Sequence, residues 1–349
     1  MVNLPGLLYN PYMEQPKKKR KTKAQKEQAH RLRVLVVVLM LAAVIALILI
    51  YSNHTALRDA FMSVSAPDID ISLNAPADIP APSPMPEQPY LDLYFFDVGQ
   101  GDSALLISPS GKTMLIDAGD AEHVLKLSLL LGKLNIKRID ALVATHPHND
   151  HIGGMRQIIK TYDIGAFYMP DAEHTTSAYE GMISALWDKG ISSTVLASGT
   201  GDTISWDDDV LIEVLSPYKN NGFSDLNDQS LMLKFTYAGR TLLFTGDAGL
   251  EAEETAVNIA GVDAFKADIL KVPHHGSEWA SPKFFIDAVQ PKAAVISCGK
   301  NNDYGHPEAA VLGLLNDCNA SVYRTDENGT VRAVVTPTDI LIASVSRGD

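Results

Sequence analysis

The chain has 349 residues, 46% hydrophobic and 20% charged, which is long enough for one sizeable folded domain with appended segments. Its formal net charge is −13, although nine Lys and Arg residues lie in the first 33 positions, so the remainder is strongly acidic. An acidic domain repels phosphate backbones, which argues against non-specific binding of bulk nucleic acid. The two cysteines, Cys298 and Cys318, exclude a disulfide framework and a thiolate metal cluster, and could form one bridge or remain free thiols.

The N-terminal part of the sequence predicts a membrane anchor. Residues 1–33 form a polar, basic tail, and residues 34–51 form an uncharged apolar run about long enough to span a bilayer. A cleaved signal peptide normally has a shorter apolar core with a cleavage site of small residues close behind it, so we expect an uncleaved transmembrane helix. The positive-inside rule places residues 1–33 in the cytoplasm and everything after Tyr51 on the outer face of the cell membrane.

Residues 52–89 are rich in Ala, Asp, Ser and Pro, and five prolines fall within 80–89. Such a composition cannot build a hydrophobic core and favours an extended chain. We predict a disordered linker here, followed by a folded domain at residues 90–349.

From residue 90 onward, short apolar segments alternate with Gly-rich turns and amphipathic segments. Strands are predicted at residues 91–96, 104–107, 113–116, 142–144, 166–169, 211–215, 231–237, 241–244, 269–272, 293–297, 321–323 and 331–335. Helices are predicted at residues 122–134, 154–162, 177–189, 250–259, 282–288 and 307–315. This alternation favours an α/β fold in which two packed sheets are covered by helices.

The segment T-H-P-H-N-D-H-I-G-G at 145–154 follows a predicted strand and precedes a predicted helix. In an extended segment, His146, His148 and Asp150 would point to one side, and a turn at Asp150 would bring His151 to a second position. Imidazole and carboxylate are metal ligands, so this one loop could supply two metal ions.

Further polar residues end or follow predicted strands. The segments are F-D-V-G-Q-G-D-S at 96–103, L-I-D-A-G-D at 115–120, N-D-Q-S at 227–230, T-G-D-A at 245–248, V-P-H-H-G-S at 272–277 and Y-G-H-P at 304–307. In this order, the segments resemble the metallo-β-lactamase superfamily and, more narrowly, the hydrolase domain attached to the ComEC competence DNA-uptake channel. The resemblance covers residues 90–349 and implies a four-layer αββα sandwich. It also implies two divalent metal ions, Zn or Mn, in a cleft at one edge of the sheets.

The resemblance implies a role for each motif residue. It assigns His146 and His148 to the first metal, Asp150 and His151 to the second, and Asp247 to a bridge between them. One of His274 and His275 would complete the second site; because adjacent strand residues point opposite ways, we expect His275 to bind and His274 to lie behind it. Asp117 would orient the histidine loop by hydrogen bonds.

The sequence departs from many family members, which supply a further histidine between the histidine loop and Asp247. Here that region has Asn227, Asp228 and Ser230, and ComEC-type domains share this N-D-x-S pattern. The first metal would then be held more weakly, or would be completed by Asp228 or water. His174 lies far before the expected position.

The remaining candidates fall into two groups. The predicted catalytic set is Asp150, Asp247, Asn227 and Ser230, and the predicted supporting or substrate-contacting set is Asp97, Gln100, Asp102, Asp117, Asp228, Lys271, Tyr304 and His306. Lys271 and Lys300 are candidate phosphate contacts. Trp187, Trp206 and Trp279 are expected to pack in the core, with the reservation that Trp279 follows the H-H-G-S segment.

The leading functional hypothesis is a membrane-anchored, outward-facing hydrolase that cleaves phosphodiesters, with nucleic acid as the first candidate substrate and metal-activated hydroxide as the nucleophile. One alternative is hydrolysis of a lactone, a small ester or a cell-envelope phosphoester. Another is a non-catalytic, metal-stabilised binding module. A single span cannot form a pore of several helices, so transport would require a separate channel protein as partner.

Overall fold

The structure is a computed structural model that describes residues 88–199 and 202–345. The predicted basic tail, the transmembrane helix at 34–51 and nearly all of the linker at 52–89 lie outside these residues. Among the helices that are described, none has both the length and the apolar character needed to cross a membrane.

Fourteen strands are present among the described residues. They are β1 Leu91–Phe95, β2 Ala104–Ile107, β3 Thr113–Ile116, β4 Arg138–Val143, β5 Asp163–Met169, β6 Ser193–Val195, β7 Val210–Ser216, β8 Met232–Tyr237, β9 Arg240–Phe244, β10 Ile269–Lys271, β11 Ala293–Ile296, β12 Ser321–Arg324, β13 Thr330–Val335 and β14 Ile340–Val345. The helices are α1 Val124–Lys133, α2 Asn149–Ile152, α3 Met155–Thr161, α4 Ser177–Lys189, α5 Leu250–Ala260, α6 Lys283–Val289, α7 Ala309–Asp317 and α8 Thr325–Asn328. Two 3₁₀ turns cover Val262–Phe265 and Pro273–Gly276.

The strands form two sheets. An eight-stranded sheet has the order β14-β13-β1-β2-β3-β4-β5-β6, and a six-stranded sheet has the order β12-β11-β10-β9-β8-β7. In the first sheet β3 to β6 run parallel, and in the second sheet β9 to β12 run parallel. The loops after parallel strands leave from one edge of a sheet, so the polar segments predicted at strand ends are gathered at those edges.

Side-chain alternation along β1 shows how the layers form. Leu91, Leu93 and Phe95 pack between the two sheets, whereas Tyr94 packs on the opposite face, against α1, α3 and α4. A third core lies between the second sheet and α5, α6 and α7. Because strand residues alternate between faces, each sheet buries one face on its partner and the other under helices. The predicted four-layer αββα sandwich is confirmed.

All twelve predicted strands are present, with small differences at their ends, but β6 and β14 were not predicted. Both are edge strands: all three residues of β6 are exposed, and β14 is mostly exposed or half-buried. An edge strand with little burial has no strong hydrophobic alternation, which is the signal that sequence analysis depends on.

Candidate metal centre

The histidine loop connects β4 to α2, as predicted for the segment after residue 144. His148 has extended backbone geometry, and α2 begins at the next residue. The expectation that Asp150 continues the extended segment is wrong, because Asp150 and His151 lie in the helical turn of α2. A helical turn separates consecutive side chains by about 100°. The turn therefore directs Asp150 and His151 differently from the histidines before them.

Four side chains converge beside this loop, and we call them the cluster: Asp150, His151, Asp247 and His275. One potential ligand atom from each lies within 4.8 Å of all the others. His151 Nε2 is 3.1 Å from an Asp247 carboxylate oxygen, and His275 Nε2 is 3.2 Å from the other. His275 Nε2 is also 3.1 Å from Asp150 Oδ2. Three of the four side chains are buried, and Asp150 is about one-third exposed at 34%.

His151 is held in place by Asp117, at the end of β3. The Asp117 carboxylate accepts hydrogen bonds from His151 Nδ1, at 2.8 Å, and from the backbone and hydroxyl of Thr145, at 2.8 and 2.7 Å. A carboxylate can only accept, so Nδ1 carries a proton and Nε2 is the nitrogen that faces the cluster, where it can bind a cation once it has released its own proton. This is the orientation that a histidine needs to bind a cation.

His275 is oriented in the same way by a backbone carbonyl. Its Nδ1 donates to the carbonyl oxygen of Ser297 at 2.9 Å, which leaves Nε2 free to face the cluster. The strand geometry used to choose between the two adjacent histidines is wrong, because His274 and His275 both have left-handed backbone conformations with φ of 48° and 56°. His274 Nε2 lies 4.0 Å from Asp247 Oδ2 and is not part of the cluster.

Asp247 follows β9 through a turn that requires glycine. Gly246 has φ of +53°, and a Cβ there would lie 2.9 Å from Ser230 Oγ and 3.0 Å from Thr145 Cβ. The backbone N–H of Asp247 donates to the Ser230 hydroxyl at 3.1 Å. The turn therefore packs against the histidine loop and delivers the Asp247 carboxylate to the cluster.

The cluster carries strong electrostatic coupling. Burial opposes charge on each member, but the nearby Asp247 carboxylate outweighs it and raises the pKa of His151 and His275 well above the ordinary value. In turn, His151 and His275 hold the pKa of Asp247 well below its ordinary value despite burial. The pKa of Asp150 is also lowered, chiefly by His151 against the effect of burial. The site stabilises positive charge among its carboxylates.

The residues of the cluster fit a divalent metal ion. Two buried polar atoms in it, His151 Nε2 and Asp247 Oδ1, lie 3.1 Å apart as an ion pair but do not meet hydrogen-bond geometry with each other or with any other described residue. Buried polar atoms are normally satisfied, and two imidazole nitrogens with two carboxylates form a donor set suited to Zn or Mn.

His146 and His148, which we call the histidine pair, lie beside the cluster. His146 Nε2 and His148 Nδ1 are 3.0 Å apart, and the ring centres of His146 and His151 are 4.2 Å apart. Burial and the nearby His151 lower the pKa of His146 well below its ordinary value, so its ring stays uncharged. No carboxylate of the described residues joins the pair within the spacing that defines the cluster.

The N-D-Q-S segment stands where other family members are expected to place a histidine ligand, and its residues have other contacts. Asp228 Oδ1 accepts hydrogen bonds from the backbone N–H groups of Gly249 and Ala252, both at 3.1 Å, and so caps the start of α5. Asp228 Oδ1 is thus engaged by α5, and Asp228 does not belong to the cluster, so completion of the first metal site by Asp228 or by water stays a prediction. Ser230 is fully buried, and its hydroxyl accepts a hydrogen bond from the Asp247 backbone. Ser230 therefore positions Asp247, whereas a direct catalytic role was predicted for it. Asn227 Oδ1 is buried without a hydrogen-bond partner among the described residues, so it still has a polar atom to offer.

The loop after β1 packs closely against the histidine loop. A Cβ on Gly101 would lie 2.3 Å from the Asp150 carbonyl oxygen, so only glycine fits there. Asp102 forms a buried ion pair with Lys271, with 2.7 Å between Oδ2 and Nζ. This pairing contradicts the predicted role of Lys271 as a phosphate contact, because its ammonium group is buried and its charge is balanced by the Asp102 carboxylate.

Two other predicted residues of this loop lie around the cluster. Asp97 is paired with Lys126 of α1 at 2.9 Å, and the Gln100 side chain accepts a hydrogen bond from the Gly299 backbone at 3.0 Å. Both residues tie the loop to its neighbours. Lys300, the other lysine proposed as a phosphate contact, is exposed.

Tyr304 and His306 form an aromatic series that leads outward from the cluster. The His306 ring lies 6.2 Å from that of His275 and 5.6 Å from that of His274, and Tyr304 stacks on it at 5.6 Å. Tyr304 is 71% exposed. His306 Nδ1 is buried and has no hydrogen-bond partner among the described residues.

The three tryptophans behave differently from one another. Trp206 is buried in the core between the sheets, as predicted. Trp187 is 85% exposed, so the expectation that it packs is wrong, whereas Trp279, which was set apart because it follows the H-H-G-S segment, is 75% exposed. Cys298 and Cys318 are free thiols.

Sequence analysis missed the position of His174. Its ring centre lies 6.2 Å from that of His148, in an edge-to-face arrangement. β5 runs parallel to β4 and pairs Tyr168 with Val143, so the segment after β5 leaves from the same edge as the histidine loop. That topology, which the order of predicted strands already suggested, is the signal that could have found His174.

The fold and site together define a layered α/β protein with a buried His/Asp centre suited to metal ions. A family model described as the metallo-beta-lactamase superfamily matches residues 96–300. The match covers more than half of the chain, and the protein belongs to this superfamily. The predictions of a superfamily hydrolase and of a site suited to metal ions are confirmed at that level.

Similar proteins include ComEC-type competence proteins. The chain is 34% identical over 253 residues to ComE operon protein 3 of Bacillus subtilis, covering 68% of this chain and 32% of that protein. It is 30% identical over 238 residues to Competence protein ComA of Neisseria gonorrhoeae, covering 68% of this chain and 31% of that protein. It is 27% identical over 240 residues to Recombination protein 2 of Haemophilus influenzae, covering 68% of this chain and 28% of that protein. The chain spans about a third of the length of these curated relatives.

Proposed function

We propose that this chain is a metal-dependent phosphodiesterase that acts on nucleic acid. The observation that carries the proposal is the cluster, in which two oriented imidazoles and two carboxylates meet around buried, unpartnered ligand atoms. Similarity to proteins whose names refer to competence and recombination supports nucleic acid as the substrate class.

We propose that two divalent ions bind here. His151, Asp150 and His275 would hold one, His146 and His148 would hold the other, and Asp247 would reach both. Such ions supply a nucleophile from water at neutral pH and polarise the phosphoryl oxygen. Asp117 and the Ser297 carbonyl keep the two cluster imidazoles turned towards the cation, and Ser230 fixes the turn that carries Asp247.

The substrate would be contacted locally. The chain after residue 33 is strongly acidic, which disfavours a long duplex on the domain, so binding would depend on a short segment of the strand near the metals. Tyr304 is the proposed contact for a planar base, because its exposed ring stacks on His306 beside the cluster and aromatic stacking tolerates any base. Asn227 and Lys300 are proposed contacts for phosphate oxygens.

The function is tested with the purified full chain, loaded with Mn or Zn, on an oligonucleotide, a phosphomonoester and a lactone. We expect cleavage of the oligonucleotide, its loss with a chelator, and its recovery with Mn at least as well as with Zn, because half of the cluster donors are oxygens. Asp247→Ala should abolish cleavage, and Asp263→Ala is the matched control because Asp263 is an exposed carboxylate at 86%. Activity on the lactone alone would transfer the assignment to small esters, and metal binding without any activity would favour a binding module.

We further propose that the hydrolase domain is anchored by residues 34–51 and faces outward, because the basic cluster precedes this apolar run. Protease added to intact cells should release a folded domain by cutting within 65–89, because a Pro- and Ala-rich composition does not favour a packed core. Protection of the domain until the cells are broken would reverse the topology. A separate channel protein is the proposed partner for transport.

A further inference from the structure

His174 differs from the cluster histidines in which ring nitrogen carries the proton. In His151 and His275, Nδ1 donates to an oxygen that can only accept, so Nε2 is the nitrogen that faces the cluster. In His174, Nδ1 instead accepts two backbone N–H groups, from Thr175 at 2.8 Å and Thr176 at 3.2 Å. The ring proton of His174 therefore lies on Nε2.

This tautomer decides what His174 can bind. A histidine binds a metal through an unprotonated nitrogen, and the only unprotonated nitrogen of His174 is turned towards its own backbone. The outward atom, Nε2, is a hydrogen-bond donor. His174 therefore cannot take the place of the histidine that other family members provide, although it lies close to the site.

The His174 ring lies next to His148, one member of the histidine pair. The half-buried His174 ring packs edge to face against His148, with 6.2 Å between ring centres. Nε2 lies across the ring from the two backbone donors, and no described residue forms a hydrogen bond with it. The Thr176 side chain caps α4 by accepting from the Tyr179 backbone, so the turn that holds the ring is itself anchored to a helix of thirteen residues.

We propose that His174 is a catalytic residue whose Nε2–H donates a hydrogen bond to a phosphoryl oxygen of the substrate at the histidine pair. The inference rests on the proposed phosphodiesterase function. A phosphodiester carries negative charge on its non-bridging oxygens, and a fixed donor at that position stabilises the charge that develops during cleavage. The donor would act on the substrate oxygens and would not replace a metal ligand.

Two substitutions separate this role from a structural one. In His174→Asn, the shorter side chain places an oxygen where Nδ1 was, so it can still accept the Thr176 N–H as an Asx turn, but it has no donor at the position of Nε2. In His174→Gln, the longer side chain places an amide donor near the position of Nε2 and cannot replace Nδ1. The two variants thus preserve opposite halves of the imidazole.

The experiment measures kcat and KM of the Mn-loaded full chain on an oligonucleotide, together with bound metal. We expect kcat of His174→Asn to fall about 100-fold, the loss typical of one transition-state donor, and His174→Gln to keep most of the activity. Bound metal should be unchanged in both. Higher activity in His174→Asn than in His174→Gln would show that the residue only forms the turn, and loss of metal in both would make it a ligand; either result overturns the proposal.

Inorganic phosphate keeps the inference testable if the parent chain cleaves no phosphodiester, an outcome that would reject the proposed function alone. The affinity of the metal-loaded chain for phosphate should then fall about threefold to tenfold in His174→Asn, the range for one hydrogen bond, and stay near the parent value in His174→Gln. Equal affinities in all three proteins would overturn the inference.

Discussion

The cluster and the histidine pair differ in how firmly their side chains are held. In the cluster, Asp117 fixes His151, the Ser297 carbonyl fixes His275 and Ser230 fixes the turn before Asp247. In the pair, buried His146 has a 3.2 Å contact between its Nδ1 and the Thr145 hydroxyl, whereas half-buried His148 contacts His146 at 3.0 Å and has no carboxylate or carbonyl partner among the described residues. Oriented ligands lose less freedom when a cation binds, so the difference predicts a tight site at the cluster and an exchangeable site at the pair.

The exchangeable site has a chemical use. A metal ion with fewer protein ligands keeps positions for water and substrate, which is the arrangement of catalytic rather than structural sites. The two sites would then have different roles: the cluster would retain its ion, and the ion at the pair would bind the substrate oxygens. Each prediction below tests one side of this division.

The largest effect is expected at Asp247, the carboxylate that contacts both histidines of the cluster. Asp247→Ala should lower metal affinity by more than the roughly 10- to 100-fold that loss of a ligand-orienting partner costs, because it removes a ligand and leaves two histidines without their counter-charge. Metal titration by calorimetry measures the change. His274→Ala is the matched comparison, since His274 lies 4.0 Å from the same carboxylate outside the cluster; equal losses in the two variants would remove the distinction between them.

The next effect is expected at Asp117, which orients His151 without belonging to the cluster. Asp117→Asn should lower metal affinity about 10- to 100-fold, because an amide no longer requires the proton to sit on His151 Nδ1. Thr145→Val removes one hydrogen bond to the same carboxylate and should cost less. If the asparagine variant binds metal as tightly as the parent, the cluster is not held by its supporting residues.

Metal affinity at the cluster should also depend on pH over an unusual range. The carboxylates raise the pKa of His151 and His275 above the ordinary 6.5, so these rings still carry protons where a free histidine has lost them. Metal binding must displace these protons, so affinity falls as pH falls, and protons are released even at about pH 7.5. Calorimetry in buffers of different ionisation enthalpy counts them. Binding without proton release at this pH would contradict the strong coupling.

Sequence patterns predicted the cluster better than they predicted its surroundings. Residues on one short loop, such as Asp150 and His151, are brought together by local geometry, so their spacing carries the information. The choice of His275 over His274 was argued from strand geometry that the structure does not have, since both residues adopt left-handed conformations. Backbone turns of this kind depend on packing between loops, as where Gly276 approaches Pro307, and no local pattern records that contact.

Long-range placement accounts for the other differences. Asp228 resembled a ligand because it lies in a polar segment before Asp247, but its carboxylate faces the start of α5, twenty-one residues later at Gly249. His174 was set aside because it is distant in sequence from the expected ligand position, yet the parallel pairing of β4 with β5 brings it beside His148. In both cases the sheet and helix packing decided the position, and composition near the residue did not.

The smallest effects are expected in the N-D-Q-S segment, and they decide whether the pair has a hidden ligand. Asp228 caps α5, and burial raises the pKa of its carboxyl against the lowering effect of the backbone donors. Asp228→Ala should therefore reduce the free energy of unfolding by about 1 kcal/mol, the usual net value of an intramolecular hydrogen bond, while Asp228→Asn should cost less because its amide oxygen can still accept from the same N–H groups. Metal affinity should stay at the parent value in both.

Asn227 should show the opposite pattern, since its buried Oδ1 has no hydrogen-bond partner among the described residues. Asn227→Ala removes an amide oxygen that has no hydrogen bond to lose, so the free energy of unfolding should change little. If Asn227 contacts the metal or the substrate at the pair, metal affinity or KM should change about threefold to tenfold. Denaturant unfolding and metal titration on both variants give the comparison. Loss of metal in Asp228→Ala, with no change in Asn227→Ala, would mean that the Asp228 carboxylate turns from α5 to the histidine pair when an ion binds. The pair would then have a carboxylate ligand, as the cluster does, and the contrast between the two sites would be lost.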